Sequence, residues 1–207
     1  MEMINLSETP GINQPIPGAR PTSADRLTIY LSGSVKKGSG DGRAEHDFWT
    51  DEDECTILNG ISGRRTQLLN PSKSILRRSD YYANFGCDLH LVSISDLILV
   101  DLRGKRGIGI GAEMAFAQNL GIPVLSICPP NTNYRRDFVA DVFGEDLKDW
   151  IHPFVYGLSD YIVDDLQNAI TFINKIVEDG GPCRHPGQKL DTAIAYYQRE
   201  RETFERS

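Results

Sequence analysis

Residues 95–128 read SDLILVDLRGKRGIGIGAEMAFAQNLGIPVLSIC, and this stretch decides the fold class. Two apolar, β-prone runs stand at its ends, LILVD at 97–101 and IPVLSIC at 122–128. Between them, apolar residues recur at helical spacing, and Gly121 follows where a helix would end. A strand, a helix and a second strand in this order predict parallel strands joined by a right-handed crossover. The helical set is Met114, Ala115, Ala117 and Leu120.

The same alternation continues on both sides of this stretch. Short apolar runs predict further strands, and amphipathic runs predict helices between them. We therefore expect an α/β fold with a flavodoxin-like, open, parallel five-stranded sheet and helices on both faces. The other predicted strands are RLTIYLSGS at 26–34, TQLLNP at 66–71 and HPFVYG at 152–157, and the other predicted helices lie within 44–61, 80–96, 135–151, 163–179 and 188–207.

Helical spacing also predicts which side chains of these helices face the core. The expected sets are Phe48, Trp49, Cys55 and Leu58 for the first helix, Leu89, Val92 and either Ile94 or Leu91 for the second, and Leu166, Ile170, Ile173 and Val177 for the helix within 163–179.

Local composition divides the chain into three parts. Prolines and glycines predict a flexible N-terminal arm over residues 1–25. Residues 26–180 form the expected domain. The run GGPCRHPG breaks the pattern, so residues 181–207 are expected to be a C-terminal linker and helix.

Composition also limits the possible partners and cofactors. The 207-residue chain carries a net charge of −7, which argues against nucleic acid or an anionic membrane as the main partner. No apolar run approaches the roughly 18 residues of a membrane span, and the N-terminus lacks the features of a secretory signal. The four cysteines form no CxxC pair and no metal-ligand spacing with histidine. We expect reduced thiols in a cytoplasmic protein that holds no metal and no cofactor.

Two glycine-rich loops follow predicted strands, SGSVKKGSGDG at 32–42 and RGKRGIGIG at 103–111. In an open α/β sheet, loops after strands one and three face one crevice at the point where strand order reverses. The first loop has the composition of a phosphate cradle, although a solvated surface loop would look the same. Neither loop has Walker A or GxGxxG spacing. The cradle residues would be Gly33, Ser34, Lys36 and Lys37.

Acidic residues stand next to these loops. Glu113 is expected in the first turn of a helix, where a carboxylate can simply stabilise the helix dipole by about 0.3–1 kcal/mol. Asp101 ends a predicted strand and points at the same crevice, although an acidic strand end is often structural. These residues alone leave a structural and a chemical role open.

Taken in order, IYLSGSV, LLNP and the stretch from CDLHLVSISD to IPVLSI resemble the nucleoside 2-deoxyribosyltransferase family. That family includes relatives that hydrolyse nucleoside 5'-monophosphates. The resemblance spans about residues 27–177. It implies that Glu113 is the nucleophile, that Asp88 assists the departing base and that Tyr30 orients the nucleophile. It also implies a phosphate-binding role for Gly33, Ser34, Lys36 and Lys37.

The sequence departs from the family pattern at one contact. Many members have an aspartate or serine six residues before the nucleophile, where this chain has Gly107. Asp101 or Arg106 could replace that contact with the 5' end of the sugar. The family also borrows residues from a neighbouring subunit, for which NTNYRRDF at 131–138 is the expected region. We therefore expect a homo-oligomer.

The resemblance implies cleavage of an N-glycosidic bond through a covalent glycosyl-Glu113 intermediate. Gly109 and Gly111 would leave room for the sugar over this carboxylate. The sugar then passes to water or to another base, and the two lysines favour a monophosphate substrate and hydrolysis. Two alternatives remain open: a nucleotide-binding sensor or scaffold without turnover, and an unrelated flavodoxin-like protein.

Overall fold

The computed structural model describes residues 4–5, 25–35, 48–74, 79–105, 107–142 and 144–204, with the backbone alone for residues 4–5 and 202–204. The strands are β1 (Ile4–Asn5), β2 (Arg26–Ser32), β3 (Arg65–Leu69), β4 (Leu97–Asp101), β5 (Val124–Ile127), β6 (Arg135–Val142), β7 (Glu145–Ile151) and β8 (Tyr161–Val163). The helices are α1 (Asp51–Gly60), α2 (Tyr81–Ser93), α3 (Ile108–Leu120), α4 (Pro153–Leu158), α5 (Leu166–Glu178) and α6 (Gln188–Phe204).

Six strands form the main sheet, in the order β1-β8-β5-β4-β2-β3. The strands β3, β2, β4, β5 and β8 are parallel, and the short β1 pairs antiparallel with β8 at one edge. The parallel strands therefore follow the doubly wound order 2-1-3-4-5, with the reversal between β2 and β4. The predicted flavodoxin-like, five-stranded parallel sheet is confirmed.

The sheet is buried on both faces. Leu27, Ile29 and Leu31 of β2 pack with side chains of α1 and α5 on one face. Tyr30 lies between Ile29 and Leu31, so its side chain packs on the opposite face, with side chains of α2, α3 and α4. Because side chains alternate along a strand, Ser32 leaves β2 on the same face as Tyr30. This alternation decides which strand residues meet α3.

The first predicted helix is shorter than expected, and its inward face differs. Phe48 and Trp49 are buried but precede α1, which begins after Thr50. The Thr50 side chain accepts a hydrogen bond from the Asp53 N–H, and Asp53 accepts one from Thr50 in return, so this pair forms a capping box. Within α1 the buried residue is Ile57. Cys55 and Leu58 are exposed, so their predicted core positions are wrong.

Helices α2, α3, α5 and α6 lie where the sequence predicted helices. Helix α2 spans the whole of Tyr81–Ser93, with Val92 fully buried and Ile94 exposed just beyond its end. Helix α5 buries Ile170 and Ile173 as expected, together with Ala169, which the spacing had not singled out.

The prediction of a helix over 135–151 is wrong. Strands β6 and β7 form an antiparallel hairpin there, and Gly144 in its turn has φ +89°, a left-handed conformation that glycine adopts without strain. The Arg135 guanidinium lies 3.1 Å from the Asp149 carboxylate across the two strands. This cross-strand pair joins residues that a helix would place about four turns apart.

The predicted strand at 152–157 is also wrong, because those residues belong mostly to α4. Pro153 occupies the first turn of this helix, and the ring Nδ1 of His152 accepts a hydrogen bond from the Phe154 N–H. Proline at a helix start is favoured since its missing N–H is not needed there. The fifth parallel strand is β8, which follows α4 directly.

Both ends of the chain add to the body. Residues Ile4–Asn5 of the predicted arm pair with β8, and the rest of the arm before residue 25 lies outside the described residues. The C-terminal segment docks on the end of α3, where the His185 N–H donates to the Gly121 carbonyl at 3.0 Å. Gly121 ends α3 with φ +69°, as the sequence predicted.

All four cysteines are free thiols, and Cys128 lies in the core. Within the described ranges, no helix combines the length and hydropathy needed to cross a bilayer.

Candidate active site

Glu113 lies further into its helix than the sequence suggested. Helix α3 begins at Ile108 with Gly107 at the N-cap, so the GIGIG segment is helical and not a loop. Glu113 therefore follows the first turn and does not cap the helix. Its side chain is buried, with 9% of the residue exposed. A buried carboxylate without a capping role requires another explanation.

A hydroxyl from β2 holds this carboxylate. Ser32 Oγ donates a buried hydrogen bond of 2.6 Å to Glu113 Oε2. Ser32 is the last residue of β2, so the contact lies at the carboxyl edge of the sheet, beside the reversal of strand order. Open α/β sheets bind their ligands at this position. We did not predict Ser32 from the sequence, although its two-residue spacing from Tyr30 was the available signal.

The environment of Glu113 favours its neutral form. Burial raises the pKa of this carboxyl to about 7, and the nearby charge of Asp88 acts in the same direction. The hydroxyls of Ser32 and Tyr30 oppose that shift by stabilising the carboxylate. A pKa near neutrality lets the group change charge within the physiological range, as carboxyl groups at catalytic sites commonly do.

Tyr30 approaches the same carboxyl from β2. The residue is completely buried, and its hydroxyl has no hydrogen-bond partner among the described residues. The phenol lies near enough to Glu113 to lower the pKa of that carboxyl, but it lacks the geometry of a complete hydrogen bond. Burial, together with the charges of Glu113 and Asp88, strongly raises the phenol pKa. A buried hydroxyl without a partner requires an explanation, and a catalytic role is one of those known.

Asp88 contributes a second carboxyl from α2, which packs against α3. The residue is half-buried, and burial raises its pKa. The charge of Asp88 acts on both Glu113 and Tyr30. The fold therefore brings together Glu113, Asp88 and Tyr30, the residues to which the family resemblance assigns catalysis.

Asp101 is placed differently from the expectation. It follows Leu97 and Leu99 in the alternation of β4, so its side chain leaves the sheet on the α1 side, whereas Glu113 lies on the α3 side. Arg103 Nε donates to Asp101 Oδ1 at 2.9 Å. The structure therefore pairs Asp101 with Arg103 and does not bring it together with Glu113.

The first glycine-rich loop is only partly within the described residues. Lys36 and Lys37 lie outside them, as does Arg106 in the second loop. Ser34 forms an isolated parallel bridge with Phe48. A Cβ atom on Gly33 would lie 2.8 Å from the Trp49 ring, so only a residue without a side chain leaves space for the indole here. The close approach that Gly33 permits is therefore to Trp49.

The two glycines before Glu113 differ in their relation to its carboxyl group. Both are exposed in the first turns of α3. A Cβ on Gly109 would stand 3.9 Å from Glu113 Oε1, whereas a Cβ on Gly111 would meet nothing within 4 Å. Only Gly109 lies where a side chain would contact the carboxyl group. Within the described ranges, no cluster of His, Cys, Asp or Glu is arranged to hold a metal ion.

Comparisons with known proteins find a likeness among solved structures. No family model matches the chain, and no curated protein matches it. Among solved structures, the chain is similar to a protein titled 2-desoxiribosyltransferase from Leishmania mexicana, with a TM-score of 0.47 and 17% sequence identity. The match covers 73% of this chain and 97% of that chain.

Proposed function

We propose that the protein cleaves the N-glycosidic bond of a nucleoside or of its 5'-monophosphate through a covalent glycosyl-Glu113 intermediate. The observation that carries the proposal is the buried Glu113 carboxyl at the carboxyl edge of the sheet, held by Ser32 at 2.6 Å. The neighbouring carboxyl of Asp88 and the unpartnered hydroxyl of Tyr30 support it. The ordered series of sequence motifs supports the same chemistry.

In the first step, the ionised Glu113 carboxylate attacks the anomeric carbon from the face opposite the base. The carbon–nitrogen bond breaks and its electron pair passes to the base. The protonated carboxyl of Asp88 gives its proton to the departing base, which leaves as a neutral molecule. Positive charge develops on the sugar as the bond breaks, and the adjacent carboxylate stabilises this charge.

The two carboxyl groups need opposite protonation states at the start of the reaction. Burial raises both pKa values, and the Ser32 and Tyr30 hydroxyls favour the ionised form of Glu113 alone. Hydrogen bonds to the charged form lower a pKa, so these hydroxyls oppose the burial that favours the neutral form of Glu113. The bound substrate supplies the rest, because positive charge developing on the anomeric carbon beside Glu113 favours the carboxylate there and leaves the proton on Asp88 for the departing base.

In the second step, water attacks the anomeric carbon of the glycosyl ester and releases Glu113. Asp88, now ionised, takes the proton of the attacking water. A second base could replace water, in which case the product is a new nucleoside. We favour hydrolysis of a monophosphate because Lys36 and Lys37 follow β2 closely in the sequence. A phosphate held there would orient the reacting carbon through binding energy from the far end of the substrate.

The test is a panel of nucleosides and deoxynucleosides, each with and without a 5'-phosphate, in which free base is measured with and without an added acceptor base. We expect base release by the wild-type protein and none by Glu113→Gln, with a trapped glycosyl adduct on the wild type detected by intact mass. Tight nucleotide binding without base release, unchanged in Glu113→Gln, would indicate the non-catalytic binding module instead.

A further inference from the structure

Trp49 contacts the strand end that carries Ser32. Its indole Nε1 donates a hydrogen bond of 3.1 Å to the Ser32 carbonyl, and Trp49 itself is only 8% exposed. Strand β3 pairs with β2 only as far as Tyr30, so Ser32 lies two residues beyond that pairing. On the other side, Ser32 pairs with Val100 of β4. The indole therefore fixes the end of β2 where the sheet holds it on one side only.

Arg103 in turn fixes Trp49. Its guanidinium lies 5.3 Å from the centre of the Trp49 ring, within the range of a cation–π contact. The same guanidinium makes a bidentate contact with Asp53, in which Nη1 and Nη2 donate to the two carboxylate oxygens at 3.1 and 3.0 Å. It also donates to Asp101. The hydrogen bonds of Arg103 to these two carboxylates hold the guanidinium over the indole ring, and they are charge-assisted.

The space around the indole leaves it little freedom to move. A Cβ on Gly33 would lie 2.8 Å from both Cδ1 and Nε1 of Trp49, so the ring lies directly against the backbone that follows Ser32. The chain of contacts is therefore continuous. It runs from Arg103 to Trp49, then to the Ser32 carbonyl, and through the Ser32 hydroxyl to Glu113.

We propose that Trp49 and Arg103 are positioning residues for the nucleophile, which act through the backbone of Ser32 and touch neither the substrate nor Glu113. The proposal rests on the proposed function for its effect on catalysis. Small displacements of a reacting group cost large factors in rate, so a loosened strand end would slow the chemical step. KM should change less than kcat, because a residue that acts only through the Ser32 backbone makes no contact of its own with the substrate.

The central variant is Trp49→Phe, which keeps an aromatic ring but removes the N–H. We expect kcat for base release to fall by about tenfold or more while KM changes little. The matched control is Phe172→Leu, because Phe172 packs against the same core face and its ring centre lies 4.2 Å from that of Tyr161. It should lower stability without changing kcat. A second variant, Arg103→Lys, retains the charge but loses the bidentate contact with Asp53, and its kcat should fall by a smaller factor.

A titration of Glu113 by NMR provides a readout that does not depend on turnover. The titratable groups around this carboxyl in the described residues are Asp88 of α2 and Tyr30 of β2, and neither variant changes them. If Ser32 loses its position, Glu113 loses a hydrogen bond that lowers its pKa, so its titration should move to higher pH in Trp49→Phe and not in Phe172→Leu.

The outcomes separate the two proposals. If the wild type releases no base from any substrate, the proposed function fails, but the titration still tests the positioning role. If Trp49→Phe and Arg103→Lys fold and leave both kcat and the Glu113 titration at wild-type values, the positioning role is overturned. If Trp49→Phe does not fold, the same two measurements on Arg103→Lys decide it.

Discussion

The Ser32 hydroxyl donates a 2.6 Å hydrogen bond to the Glu113 carboxyl, and the two residues are 81 positions apart in the chain. The contact joins the end of β2 to the second turn of α3. It has two physical effects, because it orients the carboxyl and also favours its ionised form against the cost of burial. Both effects are needed if Glu113 is to act as a nucleophile.

Ser32→Ala should therefore slow base release and change its pH dependence. The lost hydroxyl no longer stabilises the carboxylate, so the Glu113 pKa should rise above its wild-type value of about 7. The rising limb of the pH–rate profile should move to higher pH. Ser126→Ala is the control, because Ser126 is also a buried strand serine with a 2.7 Å hydrogen bond, to Ser159. Identical pH profiles for Ser32→Ala and wild type would contradict this role.

Stability should also depend on the charge of Glu113. Its folded-state pKa of about 7 exceeds the ordinary value of 4.5, so the folded protein binds the extra proton. The stability that this proton contributes to the folded state is fully present below pH 4.5 and is lost as the pH rises through about 7. Glu113→Gln removes the cost of burying a carboxylate. Its gain in the free energy of unfolding over wild type should therefore be larger at pH 8 than at pH 4.5, by up to about 3 kcal/mol. Urea unfolding at both pH values measures the difference, and an equal difference at both would refute the assignment.

Asp88→Asn should affect substrates according to their leaving groups. The variant cannot give a proton to the departing base, so nucleoside cleavage should slow by about 10²–10⁴-fold. A nitrophenyl glycoside of the same sugar releases nitrophenolate, a stabilised anion that needs no proton, so its cleavage should change far less. Parallel kinetics with both substrates test this role. An equal loss on both substrates would show that Asp88 does not act as the acid.

Tyr30→Phe should separate stability from activity. The Tyr30 hydroxyl is buried without a partner among the described residues, and such a group costs about 1–3 kcal/mol. Its removal should leave the free energy of unfolding unchanged or raise it by about 1 kcal/mol. Base release should nevertheless fall, because the hydroxyl lies beside Glu113. Unfolding and kinetics on the same preparation check both, and a stability loss without an activity loss would contradict the prediction.

Gly121→Ala should destabilise the docking of the C-terminal segment. Gly121 has φ +69°, and an added Cβ would collide with the Pro186 nitrogen and the His185 carbonyl carbon. Backbone atoms cannot yield as a flexible side chain would, so we expect a loss of about 2 kcal/mol or more. Gly86→Ala in α2 is the control, because its Cβ would meet nothing within 4 Å. That variant should gain about 0.5–1 kcal/mol in urea unfolding.

The structure corrects the sequence predictions where local pattern was ambiguous. Residues Phe138, Val139 and Val142 have spacings that fit one face of a helix, yet they lie in the β6 strand of a hairpin. The ion pair between Arg135 and Asp149 crosses the two strands of that hairpin. Helical spacing cannot predict such a pair, because it relates only residues three or four positions apart. The segment at 152–157 likewise looked like a strand because it is short and apolar, a pattern that strands and short helices share.

By itself, the sequence determined the alternation of strands and helices that makes an α/β fold, and it located β2, β3, β4 and β5, since apolar runs and periodicity are local to each element. It also carried, through the motif resemblance, the identity of Glu113 and Asp88 as candidates. Only the tertiary structure decided that Ser32 holds Glu113, that Trp49 and Arg103 support Ser32, and that Asp101 lies on the α1 side of the sheet. Contacts such as that between Ser32 and Glu113 join residues far apart in the chain, and they leave no periodic signal because they depend on how the elements pack.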